Sequence, residues 1–177
     1  MRFLKRLFGF LALLAVLLVV VAYLLPRQVA VSRSVQISAA PEVVFPHVNS
    51  LQKFNEWSPW TGIDPAMTVT YSGPDAGVGN TMVWASEHPN VGNGTQVITA
   101  STENERVATS LDFGPMGSAD AVFVLTPTDG GTEVTWHFES DMGMNPFGRW
   151  MGLMMDRWIG TEYQRGLAQL KEIAEAG

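Results

Sequence analysis

Near its C-terminal end the chain changes period. In "GTEVTWHFES", Gly131 to Ser140, Val134, Trp136 and Phe138 alternate with Glu133, Thr135, His137 and Glu139, the two-residue repeat of a strand with one apolar face. From about Pro146 to Ala176 the apolar residues recur at helical spacing instead, with Phe147, Met151, Met154 and Trp158 on one stripe and Tyr163, Leu167, Leu170 and Ile173 continuing it. A sheet with one greasy face needs a cover, and after the first strand no other segment beyond the N-terminal run is long enough to supply it. The long helix must lie across the sheet, with the aromatic face of the last strand towards it.

The rest of the chain supplies that sheet. "VAVSRSVQI", Val29 to Ile37, reads as a first strand. "SAAPEVVFPHVNS" predicts a short helix from about Pro41, with Ser38 as its cap and a break or kink at Pro46, and "LQKFNEW" predicts a second helical turn. Six strand-like runs follow from Met67 to Ser140, separated by turn signals such as Gly73-Pro74, Asn93-Gly94 and Asp129-Gly130. The expected architecture is α+β: a seven-stranded, curved antiparallel sheet wrapped on a C-terminal helix. "GPDAGVGN", Gly73 to Asn80, lacks the Lys-Ser/Thr ending of a phosphate loop and leads into a strand, so it reads as a hairpin loop.

In front of this domain stands "LFGFLALLAVLLVVVAYLL", Leu7 to Leu25, without a charge. At 1.5 Å per residue such a helix covers about 28 Å, close to a bilayer core. The competing reading is a cleaved signal peptide. Its apolar region is normally shorter, and the small-residue sites here, Val20-Val21-Ala22 and Gln28-Val29-Ala30, lie inside the run or carry a poor third residue. An uncleaved anchor is the expectation. Arg2, Lys5 and Arg6 precede the run, and Arg27 and Arg33 follow it, which places the N-terminus in the cytoplasm and the folded part on the extracytoplasmic side of a single-pass protein. Residues 1–28 are read as tail, anchor and short tether, and 29–177 as the folded domain.

Of the 11 basic residues three precede the run, leaving 8 against 17 acidic ones in the remainder. That surface repels phosphate backbones, and no basic stripe overcomes it, which argues against nucleic-acid binding. The absence of cysteine excludes disulfides, thiolate metal sites and cysteine nucleophiles. His47, His88 and His137 have no metal-ligand spacing, so neither a metal nor a cofactor is expected. Glu87 with His88, or Asp112 with Glu139, would make an acid/base pair only if strand register aimed them inward, and the alternation sends Asp112 and Glu139 outward.

The element order, together with "FNEWSPW", "YSGPDAGVG" leading into "MVWAS", "GTEVTWHFE" and the late "GLAQLKE", resembles the SRPBCC superfamily, the START/Bet v 1-like helix-grip proteins often labelled polyketide cyclase/dehydrase or lipid transport. The resemblance covers roughly Val29 to Glu175. It implies a hydrophobic cavity between sheet and long helix, and it carries no catalytic residue onto this sequence; fold alone fixes no reaction.

The candidate cavity wall is aromatic and sulfur-rich. Trp57 and Trp60 bracket the Ser58-Pro59 turn, either as plain core or as wall, where an indole offers a rigid face and one N–H. Met142, Met144, Met151, Met154 and Met155 crowd together with Trp150 and Trp158, and methionine suits surfaces that adapt to varied apolar partners. The ligand-binding candidates are Trp57, Trp60, Trp84, Phe113, Phe123, Trp136, Met151, Met154 and Trp158. Three readings follow: a membrane-tethered module for a lipid, isoprenoid or similar apolar molecule; a cyclase- or dehydratase-type enzyme; or a protein-interaction module with a filled core and an unknown partner.

Overall fold

A computed structural model describes residues 2–177, Arg2 by its backbone alone. An apolar helix, α1 (Arg2–Leu24), leads into β1 (Gln28–Ile37), followed by α2 (Pro41–Val48), α3 (Leu51–Trp57) and α4 (Pro59–Ile63). Six strands follow in succession: β2 (Thr68–Ser72), β3 (Thr81–Ala85), β4 (Gly94–Thr102), β5 (Arg106–Asp112), β6 (Ser118–Thr128) and β7 (Gly131–Asp141). The chain closes with α5 (Pro146–Ala176). The seven strands form one antiparallel sheet in the order β1-β7-β6-β5-β4-β3-β2, the expected meander with the first strand returned beside the last. A register shift between Ile98 and Ala100 interrupts the β4–β5 ladder, a device that bends a strand and sharpens its twist.

The inner face of that sheet carries the core. Phe123 of β6 pairs with Trp136 of β7, and their rings stack with centroids 4.7 Å apart. Phe54 and Trp57 of α3 meet both rings edge-on or tilted. Trp57 is 1% exposed and gives its indole N–H to the His47 carbonyl at 3.1 Å, which locks α3 against α2.

Local details differ from the sequence expectations. Pro46 does not break α2, which runs on to Val48; the proline lies so near the C-terminal end that little helix remains to be disrupted. Ala40, not Ser38, occupies the cap position, and the Ser38 N–H is held by a Glu175 carboxylate oxygen at 2.7 Å. Pro59 opens a third short helix, the position where its fixed φ and missing N–H cost least. Buried Asn80, at the end of the Gly73–Asn80 loop, accepts from Leu51 N at 2.7 Å and so serves the start of α3 across space.

The largest difference concerns α5. Its sheet-facing line is Gly152, Met155, Ile159, Tyr163, Leu167, Leu170 and Ala174, while Phe147, Met154 and Trp158 of the expected stripe lie exposed. Glycines set this rotation. A Cβ at Gly152 would stand 2.9 Å from Val29 Cγ2, and one at Gly160 would stand 2.0 Å from Arg33 Nη2, so the helix packs close on β1 through its bare side. The Arg33 guanidinium crosses that bare patch and bonds Asp156 Oδ1 at 3.0 Å and the Asp156 carbonyl at 3.1 Å.

The junction between α1 and the domain is fastened on both sides. Arg27 makes a two-pronged contact with Asp141 at 2.7 and 2.6 Å, and Met142 N donates to the Arg27 carbonyl at 2.9 Å. The guanidinium holds the Asp141 carboxyl below its usual range, mainly through that hydrogen bond. Arg149 donates to the carbonyls of Tyr23 (3.1 Å), Leu25 (3.3 Å) and Gly143 (3.2 Å), and Trp150 Nε1 donates to the Leu18 carbonyl at 3.2 Å. The expected tether is thus a clamped joint.

Candidate functional site

Between the inner face of the sheet and α5 lies a cavity of about 560 Å³. Trp84 and Met82 of β3, Gln96 of β4, Leu111 of β5, Ala121 of β6 and Trp136 and Phe138 of β7 form its sheet side. Met151, Met155, Ile159 and Tyr163 form its helix side, spaced four residues apart so that consecutive turns present them to the same space. Phe54 and Trp60 close one end. The other end is bounded by Pro89 to Gly92, by Pro115 and Met116, and by Phe147 at the start of α5. Met116 and Phe147 are among the most exposed apolar side chains of the domain, which marks this end as the mouth.

The strands explain the lining: alternate residues point inward, so β7 brings Trp136 and Phe138 to the cavity and turns Glu139 out. Among the described residues no Asp, Glu, His, Lys or Arg lines the space, and Tyr163 is its one titratable side chain. Tyr163 stacks on Trp136 with centroids 3.6 Å apart and planes 9° from parallel. Burial alone pushes its phenol well above the usual tyrosine range, so it stays protonated and offers both an O–H donor and an oxygen acceptor. Among the described residues no protein group pairs with that hydroxyl. Gln96 Nε2 donates to Thr109 Oγ1 at 3.1 Å, and its side-chain carbonyl receives no hydrogen bond among those residues. The Trp136 indole N–H is also buried without a partner among the described residues.

Of the residues singled out in the sequence, Trp60, Trp84, Phe113, Trp136 and Met151 line the cavity together. Trp57 and Phe123 do not: both are buried one layer behind it, in the aromatic packing under α3. Met154 and Trp158 are on the far side of α5 because the glycine face, which hydropathy does not register, turned the helix. Met142 and Met155 of the methionine-rich segment line the cavity as well, and Ile159 and Tyr163, which the sequence pattern does not single out as cavity residues, continue the four-residue step from Met151. His88 and Asp112 serve turns, accepting from Asn90 N at 3.2 Å and Gly114 N at 2.8 Å, and neither they nor Glu87 or Glu139 line the cavity.

This arrangement has relatives. The family described as polyketide cyclase/dehydrase and lipid transport matches residues 28–175. The chain belongs to that family. Among solved structures, Ara h 8.0201 superposes with a TM-score of 0.62 at 12% identity, covering 85% of this chain and 99% of that one. A protein of unknown function from Staphylococcus aureus gives a TM-score of 0.63 at 10% identity, with 84% of this chain and 94% of that chain covered. StfQ, a di-domain ARO/CYC protein of the steffimycin biosynthetic pathway, gives 0.62 at 11% identity, and the match covers 84% of this chain and 51% of that one. At such identities the likeness shows the fold, a helix-grip of the Bet v 1/SRPBCC type. No curated protein matches the sequence. Family membership and fold together support a module for hydrophobic ligands.

Proposed function

We propose that this family member is a membrane-anchored binding or transfer module for an apolar molecule, a lipid or isoprenoid-like compound held between the sheet and α5. The observation that carries the reading is the cavity itself. Its volume of about 560 Å³ falls within the range of ligand pockets, roughly 300–1,000 Å³, and its walls are aromatic, aliphatic and thioether groups with a few uncharged polar ones. Such a site rewards burial of a greasy body, while the Tyr163 hydroxyl and the Gln96 amide can orient one oxygen-bearing end. The cyclase-type alternative needs a buried acid/base pair, and the carboxylates and histidines considered for it lie elsewhere.

The anchor part of the proposal rests on α1. Phe3–Leu24 is a helix long and apolar enough to cross a membrane, and a signal sequence passes the same test. Its side chains are almost entirely exposed, Ala22 at the joint being buried, so the domain provides little burial for them. With the N-terminus cytoplasmic, the cavity would work at the extracytoplasmic leaflet, where tethering raises the local concentration of membrane ligands.

Native mass spectrometry with organic extraction tests the reading on the full-length protein purified from its own membranes. A defined co-purifying lipid or isoprenoid is expected. Reproducibly empty protein that also refuses added fatty acids and isoprenoids would overturn it in favour of an enzyme or a partner-binding module.

A further inference from the structure

The start of α5 carries more exposed apolar surface than a water-facing helix should. Phe147 is 70% exposed, Leu153 56%, Met154 45% and Trp158 42%. Singly such residues are ordinary, but four within twelve positions of one helix form a patch of the kind that marks an interaction site. The second half of the same helix differs: Glu162, Arg165, Lys171, Glu172 and Glu175 supply its outer groups, and its apolar residues face the sheet. The first half of α5 is thus apolar on both its cavity side and its outer side, and only the second half is amphipathic. The apolar outer face is confined to the end that meets α1.

That meeting point says what covers the patch. Trp150 Nε1 bonds the carbonyl of Leu18, which lies six residues before the end of the apolar helix, or about 9 Å along its axis. Tyr23 Oη bonds the Met144 carbonyl at 3.3 Å, and the Arg149 guanidinium lies 5.3 Å from the Tyr23 ring centre. If α1 crosses a bilayer, these contacts hold the first turns of α5 at the depth of the last turns of the span. Tyr, Trp and Arg are the residues that settle at that boundary, with ring or stem in the acyl region and polar tip among head groups. Charge agrees: residues 142–160 carry Arg149 and Arg157 against Asp156, which Arg33 already engages, whereas the domain as a whole is strongly acidic.

We propose that the outer face of α5 from Phe147 to Trp158 is an interfacial surface that lies in the head-group region of the bilayer beside α1, with the cavity mouth at Phe147 and Met116 opening onto lipid. The occupant of the patch is the membrane that α1 enters. A ligand then passes between bilayer and cavity without crossing water, and α5 is both the wall of the cavity and its contact with the source. The inference rests on the reading of α1 as an uncleaved span.

The chain has no cysteine, so single-cysteine variants of the full-length protein take one spin label each. Phe147→Cys and Met154→Cys report on the patch, Leu13→Cys on the middle of α1 and Glu172→Cys on the water-facing half of α5. In phosphatidylcholine/phosphatidylglycerol vesicles, the collision ratio of oxygen to a water-soluble nickel chelate is expected several-fold higher at 147 and 154 than at 172, approaching that at 13. Adding Met154→Asp with Trp158→Asp should move the ratio at 147 towards the aqueous value. Aqueous ratios at 147 and 154 beside a lipid-like ratio at 13 would overturn the interfacial surface while leaving the anchor standing. An aqueous ratio at 13 as well would overturn the anchor, and the interfacial surface with it.

Discussion

Arg149 and Tyr23, 126 residues apart in sequence, are joined twice: the guanidinium donates to the Tyr23 carbonyl at 3.1 Å and lies 5.3 Å from the centre of its ring. Arg149 is nearly buried, and its other bonds go to the Leu25 and Gly143 carbonyls and to the Met144 sulfur. It therefore serves the last carbonyls of α1, the role a cation plays at a helix C-terminus, from a position on α5. The apolar helix and the gripping helix are thereby one mechanical unit.

Replacing that cation with an apolar residue of similar length should release the joint. Arg149→Met is expected to cost about 1.5–3 kcal/mol, the scale of hydrogen bonds to a charged group. Spin-label distances between α1 and the C-terminal half of α5 should broaden from one narrow population to many. An unchanged narrow distribution would show that the joint is held without Arg149, by the Arg27–Asp141 pair and the Trp150 and Tyr23 contacts.

The bare side of α5 makes a second expectation. Gly160→Ala places a methyl group where the Arg33 guanidinium lies, so the helix or the arginine must shift, at a cost of about 1–3 kcal/mol. Gly62→Ala, in α4, meets nothing within 4 Å and should be neutral or stabilising by up to about 1 kcal/mol. Urea midpoints compare the two. Equal effects would mean that close packing on β1 does not set the rotation of α5.

Much of this molecule is legible before any coordinates. The period-two strands, their turns and the single long helix predict the sheet and its cover, because both periods follow directly from backbone geometry. The rotation of α5 was not legible, since Gly152 and Gly160 carry no hydropathy, yet their bareness decides which side approaches β1. Trp57 and Trp60 look alike in sequence, and only their tertiary contacts separate them: both rings meet Trp136, but Trp57 sits behind the cavity wall and Trp60 on it. A tyrosine in an apolar stripe reads as core; the place of Tyr163 on the cavity wall depends on Trp136, 27 residues earlier, lying flat against it at 3.6 Å.

That stack isolates the hydroxyl as a test of polar recognition. Tyr163→Phe keeps the ring contacts and should change stability by less than about 0.5 kcal/mol. Retention of a fatty acid or other oxygen-bearing ligand should weaken roughly 2- to 10-fold, the equivalent of one ordinary hydrogen bond of about 0.5–1.5 kcal/mol. Competition against a fluorescent fatty acid measures it, and unchanged affinity would remove Tyr163 from recognition.

His47 supplies a pH dependence away from the cavity. Burial lowers its pKa, nearby Lys53 lowers it further and Glu56 partly opposes them; its Nδ1 is buried without a partner among the described residues. A histidine whose folded pKa lies below its unfolded value of about 6.5 takes up its proton less readily in the folded state. Its share of stability is complete above that value and is lost as pH falls through it towards the folded pKa. Ring titration by NMR should give a midpoint below 6.5, and the urea midpoint should fall less steeply between neutral and mildly acidic pH in His47→Gln than in the parent. A ring midpoint at or above 6.5 would reject this.

The two tryptophans that bracket the Ser58-Pro59 turn separate folding from binding. Trp57 is 1% exposed, contacts Phe54, Phe123 and Trp136, and holds the His47 carbonyl, so Trp57→Ala should cost about 3–5 kcal/mol and leave that carbonyl short of a donor. Trp60 is half-buried, meets Trp136 and Tyr163 edge-on, and lines the cavity. Trp60→Ala removes less buried surface, about 1–3 kcal/mol, but takes away one end of the ligand's enclosure. The expected pattern is a crossed one: Trp57→Ala lowers the thermal midpoint more, whereas Trp60→Ala lowers fatty-acid uptake more when both are compared at a temperature where each is folded. If Trp60→Ala lost stability and uptake in the same proportion as Trp57→Ala, the ring would be core that happens to border a cavity, and the wall would begin at Trp136.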